Sequence, residues 1–151
     1  MITDFAEVLP VALRPARDND CERIWQYNCS AEARAVSRNG KPVPFAQHLM
    51  WYRSRLASSD PMWIIEESLH AVGVVRVDRG THGARISIAL APHARGRGIG
   101  RRAIAAACAR MREPLIAEIQ DSNATSRHAF EACGFVLAGE TDGLATYTWS
   151  P

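Results

Sequence analysis

Residues 95–100 read RGRGIG, with glycine at every second position, and this spacing could hold a phosphate group. An apolar segment, residues 86–92, precedes the glycines and a helical pattern follows them, so the predicted order is strand, turn and helix start. Glycine tolerates positive φ and lets the backbone approach a ligand, while the unpaired N–H groups and the dipole of a helix start attract an anion. The segment therefore indicates a pyrophosphate site, with a purely structural capping turn as the alternative.

The elements that must position this turn follow from hydrophobic periodicity and turn residues. Strands are predicted at residues 11–14, 62–66, 71–77, 84–90, 115–119, 135–137 and 145–149, and helices after 18–20 and at 45–56, 98–112 and 123–133. The strands between residues 62 and 90 are separated by short turns, which predicts an antiparallel meander. This order predicts one domain over residues 1–151, with a mixed sheet covered by helices on both sides.

Composition and charge limit the classes of partner. The sequence is 47% hydrophobic and 23% charged, as in an ordinary globular protein, and its formal net charge is only +2. A nucleic-acid-binding domain usually carries a strongly basic face, so we expect no nucleic acid partner. Arginines do cluster at positions 95, 97, 101 and 102, and this cluster suits a small polyanion.

The cysteines and the N-terminal residues predict the compartment. Cys21, Cys29, Cys108 and Cys133 are widely spaced without a CxxC pair, so neither a disulfide framework nor a metal site is expected. The first residues show no positively charged leader with an apolar run, and no apolar stretch reaches the length of a membrane span. We therefore expect a cytoplasmic protein with no membrane partner.

Two segments carry a family resemblance. The RGRGIG segment resembles the Q/R-x-x-G-x-G/A signature of the GNAT N-acetyltransferase superfamily, and residues 123–135, NATSRHAFEACGF, resemble its N-x-x-[AS]-x-x-x-[YF]-x-x-x-G-F segment. The resemblance implies acetyl-CoA as co-substrate and an α+β (mixed α/β) fold. In that fold a central, mostly antiparallel twisted sheet of about six to seven strands is flanked by about four helices.

The same resemblance implies which residues contact acetyl-CoA. The backbone of Ile88, Ala89 and Leu90 would pair with the pantetheine arm as an added strand. Backbone amides around the glycine turn would hold the pyrophosphate, and Asn123 would lie near the sulfur. The implied cofactor contacts in the turn and the later helix are Arg95, Gly96, Arg97, Gly98, Ile99, Gly100, Arg101 and Phe130.

Acetyl transfer to an amine also needs a proton acceptor, an oxyanion donor and a proton for the departing thiolate. Glu118 lies on a predicted strand five residues before Asn123, where similar ribosomal-protein alanine acetyltransferases place a glutamate that accepts a proton. The alternative is a solvated carboxylate or an ion-pair partner of an arginine. The family resemblance also implies that the N–H of Leu90 would polarise the thioester carbonyl.

The proton donor departs from the family pattern. Many members have a tyrosine where this sequence has Phe130, and a phenyl ring cannot protonate a thiolate. Water, or a histidine among His82, His93 and His128, would have to replace it. Phe130 itself is predicted to pack against the cofactor.

The first two helices carry a possible acceptor site. Trp25, Arg34, His48 and Trp51 resemble the W-x-N…R…H-x-x-W pattern of amino-sugar acetyltransferases from pseudaminic-acid-type nucleotide-sugar pathways, although Asn28 is displaced by one residue. The indoles could stack on a base or sugar, the imidazole could bond a phosphate, and Arg34 could pair with a diphosphate. Core packing is the alternative for both tryptophans.

The leading prediction is therefore an N-acetyltransferase for a primary amine of a small molecule, such as a nucleotide-linked amino sugar. A protein N-terminus or a polyamine is an alternative acceptor, although a basic pocket would repel a polyamine. A non-catalytic acetyl-CoA-binding regulator and a simple nucleotide-binding module are the alternatives from other classes. A homodimer through edge strands is also possible.

Overall fold

The computed structural model describes residues 9–29 and 41–151, and its strands form one seven-stranded sheet in the order β1-β2-β3-β4-β5-β7-β6. The strands are β1 (Val11–Pro15), β2 (Met62–Glu67), β3 (His70–Gly80), β4 (Gly83–Leu90), β5 (Leu115–Gln120), β6 (Val136–Thr141) and β7 (Leu144–Trp149). The helices of the described residues are α1 (Cys21–Cys29), α2 (Phe45–Ala57), α3 (Ile99–Arg110) and α4 (Ala124–Ala132).

Antiparallel pairing dominates this sheet. Strands β2, β3 and β4 form the predicted meander, and in the described chain only β4 and β5 pair in parallel. The predicted mixed, mostly antiparallel sheet with about four flanking helices is confirmed.

Side-chain alternation decides how each strand faces the core. In β5, Leu115, Ala117 and Ile119 are buried, whereas Glu118 lies between them on the other, half-buried face. Strand β3 has no such alternation, since valines on both of its faces are buried. It therefore lies in the middle of the sheet, as its unbroken apolar sequence indicates.

Helices cover opposite faces of the sheet. The guanidinium of Arg110 on α3 lies over the Trp63 ring at 5.6 Å, and Trp63 pairs with Val75 of β3. The next residue, Arg76, lies over Trp51 of α2 at 5.1 Å. Because successive strand side chains point to opposite faces, α2 and α3 lie on opposite sides of the sheet.

A buried arginine fixes α2 to the sheet. Arg55 is 8% exposed and donates to the Asp78 carboxylate at 2.8 Å and to the carbonyl oxygens of Val77 and Asp60 at 2.8 and 2.7 Å. Burial of this charge is tolerated because its donors are bonded. The end of α2 is thereby attached to β3.

The last hairpin is longer than its sequence predicts. Strand β6 runs to Thr141 and turns through Asp142 and Gly143, both at positive φ, into β7. All six residues of β6 are exposed, and its register shifts between Leu137 and Gly139. An edge strand without a buried face shows no hydrophobic alternation, so the sequence pattern did not predict its second half as a strand.

Among the described residues, no helix is both long and apolar enough to cross a membrane.

Candidate functional site

The parallel strands β4 and β5 part soon after they meet. They pair only at Ala84 with Leu115 and at Arg85 with Ile116. Beyond these residues β4 pairs with β3 and β5 pairs with β7, so in the described chain no strand occupies the space between them. The result is a wedge-shaped groove that opens toward the end of β4.

The hydrogen-bond phase of β4 decides which backbone groups face this groove. Ala91 donates its N–H to Val72 O of the β3 side at 2.8 Å, and the register of β3 with β4 does not shift. Hydrogen-bonded pairs alternate along an antiparallel ladder, so Ala89 turns its backbone to β3, whereas Ile88 and Leu90 turn theirs toward the groove. The expectation that Ala89 offers its backbone to a ligand is therefore corrected, because β3 already uses those groups.

The glycine turn closes the wide end of the groove. Gly96 and Gly98 have φ of 73° and 76°, and a methyl group on either would meet no other atom of the described chain within 4 Å. Gly98 caps α3, which begins at Ile99, so the first backbone N–H groups of that helix lack intrahelical acceptors. A methyl group on Gly100 would lie 3.6 Å from the Leu90 side chain, which brings the helix start against the end of β4. An exposed nest of N–H groups in this position fits a pyrophosphate.

The arginines of the turn have different surroundings. Arg95 donates to Leu90 O at 3.4 Å, and Arg101 is exposed. Arg97 donates from both terminal nitrogens to the Glu67 carboxylate, at 3.1 and 2.9 Å. The Arg97 side chain is thus directed at β2, which leaves its backbone N–H as the group suited to a phosphate.

The start of α4 borders the other side of the groove. Asn123 caps this helix, with its Oδ1 accepting from the Ser126 N–H at 3.2 Å. Phe130 is 2% exposed and packs edge-on against Phe135, with ring centroids 5.0 Å apart. Phe130 is therefore a core residue, and its predicted contact with the cofactor stays a prediction.

Glu118 lies where the two strands part. Its Oε1 accepts from the Arg85 guanidinium at 2.7 Å, and its side chain is 20% exposed. Alternation puts Glu118 on the sheet face opposite to Leu115 and Ala117. The ion pair that was the alternative for this carboxylate is thus present. Its predicted role as proton acceptor stays a prediction.

Two of the predicted acceptor residues take part in helix packing. His48 is 5% exposed, and its Nε2 lies 2.8 Å from Cys21 O. Burial, which is the main cause, lowers its pKa, and the charge of Arg76 lowers it further. Trp25 donates its indole N–H to Val43 O at 2.7 Å and packs edge-on against Phe45. These contacts favour structural roles for both residues over the predicted binding of a phosphate or sugar.

Trp51 is the predicted acceptor residue that reaches the half-buried sheet face. It is partly exposed, and Arg76 of β3 lies over its ring. Arg34 lies outside the described residues, so its predicted contact with a diphosphate stays a prediction.

The three histidines considered as proton donors to the thiolate lie at different distances from the end of β4. His82 lies in the turn between β3 and β4, at the opposite end of β4 from Leu90. The eight residues of β4 separate the two by roughly 26 Å at about 3.3 Å per residue. His93 and His128 are exposed and lie nearer, in the turn after β4 and on α4.

In the described residues no group of histidine, cysteine, aspartate and glutamate could hold a metal ion.

Sequence reasoning missed Glu67, Arg76 and Arg85. Arg85 contacts Glu118 across 33 positions and Glu67 contacts Arg97 across 30, so neither pair has a local motif. Alternation in the segment ARISIAL places Arg85 opposite to the buried Ile86, which is the one available signal for its face.

Comparison with known proteins supports these features. Residues 11–136 match the model of the acetyltransferase (GNAT) domain. No curated protein matches the sequence significantly. The fold is similar to that of a domain from Methanocaldococcus jannaschii, with a TM-score of 0.84 and 22% identity over 95% of this chain and 99% of that one.

Two solved acetyltransferases share the fold. The ribosomal-protein-alanine N-acetyltransferase from Brucella melitensis has a TM-score of 0.75 and 24% identity, over 93% of this chain and 99% of its own. The spermidine N-acetyltransferase from Vibrio cholerae, solved with CoA and spermine, has a TM-score of 0.76 and 17% identity, over 91% and 92%. The matched family model covers most of the chain, and the groove and glycine turn suit its cofactor. The chain therefore belongs to the acetyltransferase (GNAT) domain family and is an acetyl-CoA-dependent N-acetyltransferase.

Proposed function

We propose that the groove between β4 and β5 holds acetyl-CoA and that the acetyl group passes to a primary amine arriving at the sheet face of Glu118. The observation that carries this proposal is the parting of the two strands after Arg85, above an exposed turn with two glycines at positive φ. A pyrophosphate on the amides of residues 96–101 would place the pantetheine arm along the open edge of β4. Its amides would then meet the backbone of Ile88 and Leu90.

The N–H of Leu90 is suited to the developing oxyanion. The ladder phase turns it away from β3, into the groove where the thioester would lie. A donor that is already oriented stabilises charge on the carbonyl oxygen without reorganisation. Asn123 lies at the start of α4, where we expect it near the sulfur.

Glu118 is the proposed proton acceptor. An amine attacks only as the free base, so a carboxylate beside the attacking nitrogen raises the reactive fraction and takes the proton released on attack. Arg85, 2.7 Å away, would orient the carboxylate. We infer that the CoA thiolate takes its proton from water or from one of the exposed histidines His93 and His128, since Phe130 has no acidic hydrogen and His82 lies at the far end of β4.

For the acceptor we propose an amine on a neutral or anionic small molecule, with a nucleotide-linked amino sugar as the leading class. Support comes from Arg76 and Arg85 on this face and from the partly exposed Trp51. Arg76 and Arg85 are each paired with a carboxylate, so the face offers no excess of negative charge to a polyamine. His48 is not in the proposed binding set, because its imidazole is buried between the helices.

A thiol-release assay with acetyl-CoA tests the proposed acceptor. The panel contains UDP-amino sugars, peptides with free N-termini and polyamines, and each positive is checked by mass spectrometry for one added acetyl group. Turnover with an amino sugar and none with spermidine is expected. Faster turnover of peptides or polyamines would refute the acceptor class. Tight CoA binding without turnover of any amine would favour the alternative of a non-catalytic acetyl-CoA-binding regulator.

The remaining proposals concern assembly and compartment. We propose one domain over residues 1–151 and a reducing, cytoplasmic location, supported by four cysteines that are all free thiols. Any homodimer through strand edges would use β1 or β6, and β6 exposes Val136 and Leu137. Light scattering at several protein concentrations tests the dimer.

A further inference from the structure

The ion pair between Glu67 and Arg97 joins the proposed pyrophosphate turn to the end of β2. Both terminal nitrogens of Arg97 bond the two Glu67 oxygens, at 3.1 and 2.9 Å. The Glu67 side chain is 10% exposed, whereas that of Arg97 is 44% exposed. A two-bond fork to a mostly covered carboxylate has a defined geometry, unlike a solvated single-contact pair.

The turn around Arg97 consists largely of glycine. Arg97 lies between two glycines at positive φ, and their outer sides meet no other atom of the described chain within 4 Å. Glycine at such positions has more conformational freedom than any other residue, so the order of this turn depends on the residues around it. Arg95 contributes a longer bond of 3.4 Å to Leu90 O. The Arg97 fork is thus a side-chain restraint on the segment that would bind the pyrophosphate.

Simple electrostatics predicts the opposite role for Glu67. A carboxylate beside a pyrophosphate site repels the ligand, so removing its charge should strengthen binding. A carboxylate that fixes the turn does the reverse, because its loss leaves the binding amides to be ordered by the ligand itself. The sign of the change in affinity therefore separates the two roles.

We propose that Glu67 is a positioning residue for acetyl-CoA: it holds Arg97, and through Arg97 it fixes the backbone of residues 96–101 in the conformation that binds the pyrophosphate. This inference rests on the proposed cofactor site. Arg97 then serves the cofactor through its backbone N–H, while its side chain faces Glu67.

Calorimetric titration of CoA into wild type, E67Q, R97K and the double variant tests the inference. We expect E67Q to raise the Kd of CoA about fivefold, the change given by loss of one well-formed ion pair of this exposure. R97K should do the same, since an ammonium keeps the charge but cannot form the fork. The double variant should be no weaker than R97K alone.

Hydrogen exchange gives a readout that does not need the ligand. The bonded amide that closes the turn is that of Arg102, which donates to Gly98 O at 3.3 Å. It should exchange faster in ligand-free E67Q, while amides in the second half of α3 and the melting temperature stay unchanged. The matched control is E113Q, which removes an ion pair to Arg79 with bonds of 2.9 and 2.7 Å at the far end of β4. E113Q should change neither CoA binding nor exchange in the turn.

The outcomes separate this inference from the proposed cofactor site. Unchanged or tighter CoA binding by E67Q, or additive losses of affinity in the double variant, would overturn the role of Glu67. The proposed cofactor site would still stand in that case, provided that the wild-type protein binds CoA. If no substitution in the turn changes CoA binding, not even G98D with its added charge, then both the proposed cofactor site and the role of Glu67 are overturned.

Discussion

Gly98 and Gly143 share one backbone conformation, but only Gly98 is proposed to contact the cofactor. Gly98 and Gly143 both have φ of 76°, and a methyl group on either would meet no other atom of the described chain within 4 Å. Gly98 lies in the proposed pyrophosphate turn, whereas Gly143 lies in the turn between β6 and β7. Alanine at each position therefore separates the cost of backbone strain from the cost to the cofactor.

The structure fixes the size of the strain. With no steric contact at either site, G98A and G143A should each lose only the cost of the left-handed conformation, about 1–2 kcal/mol. In a chain of this length that corresponds to a fall in melting temperature of roughly 2–8 °C. The two variants should be destabilised alike.

Their affinity for CoA should differ. A methyl group on Gly98 would project toward the space proposed for the pyrophosphate, so we expect G98A to weaken CoA binding at least about tenfold. A carboxylate in G98D adds repulsion of about 4 kcal/mol for unit charges about 4 Å apart at an effective dielectric of about 20, which predicts a far larger loss. G143A should bind CoA as wild type does.

Differential scanning fluorimetry measures the stability of the variants and calorimetric titration measures their Kd for CoA. Wild-type affinity in G98A and G98D, at the expected loss of stability, would remove the pyrophosphate from this turn. Equal losses of affinity in G98A and G143A would mean that global strain, and not a local contact, weakens binding.

Three further variants test the proposed base and the buried residues Arg55 and His48. E118Q should lower turnover more at about pH 7 than at high pH, where free amine is plentiful, and wild-type rates at both would exclude Glu118 as the base. R55M should lose about 3–5 kcal/mol of stability in urea denaturation, because the carboxylate and carbonyl oxygens that Arg55 bonds would lose their donors. The control is R53M at a nearby exposed position, which should lose less than about 0.5 kcal/mol. Burial lowers the pKa of His48, so the unfolded chain binds its proton first as the pH falls below about 6.5. Stability should therefore decline from about pH 7.5 to about pH 5.5, and H48Q should reduce that decline in urea denaturation at the two pH values.

Local signals allowed much of the site to be predicted. The glycine turn and the Asn123 cap each mark the start of a helix within a few residues, and the structure starts α3 at Ile99 and α4 at Ala124. Strand positions followed from apolar runs, apart from the exposed second half of β6. The packing contacts of His48 and Trp25 could not be predicted, because spacing on a helix does not say which face another helix covers.

Pairings between distant residues could not be predicted in the same way. The bond from Arg97 to Glu67 depends on where the β2–β3 hairpin ends, and that hairpin turns through Ser68 and Leu69 at positive φ without any glycine. The predicted strands place this turn correctly between residues 66 and 71, but strand spacing does not indicate which distant segment lies beside it. The restraint on the pyrophosphate turn is therefore invisible until the strands are placed.

The register of β4 with β5 links the cofactor groove to the proposed base. Arg85 is the last residue of β4 that pairs with β5, and Glu118 follows its partner Ile116 by two positions on the same face. The residue at which the strands part is thus also the residue that holds the carboxylate. A slip of one position would turn Glu118 toward the buried face of Leu115, because side chains alternate along a strand. The chemistry of this site hence depends on a two-residue parallel contact as much as on the glutamate itself.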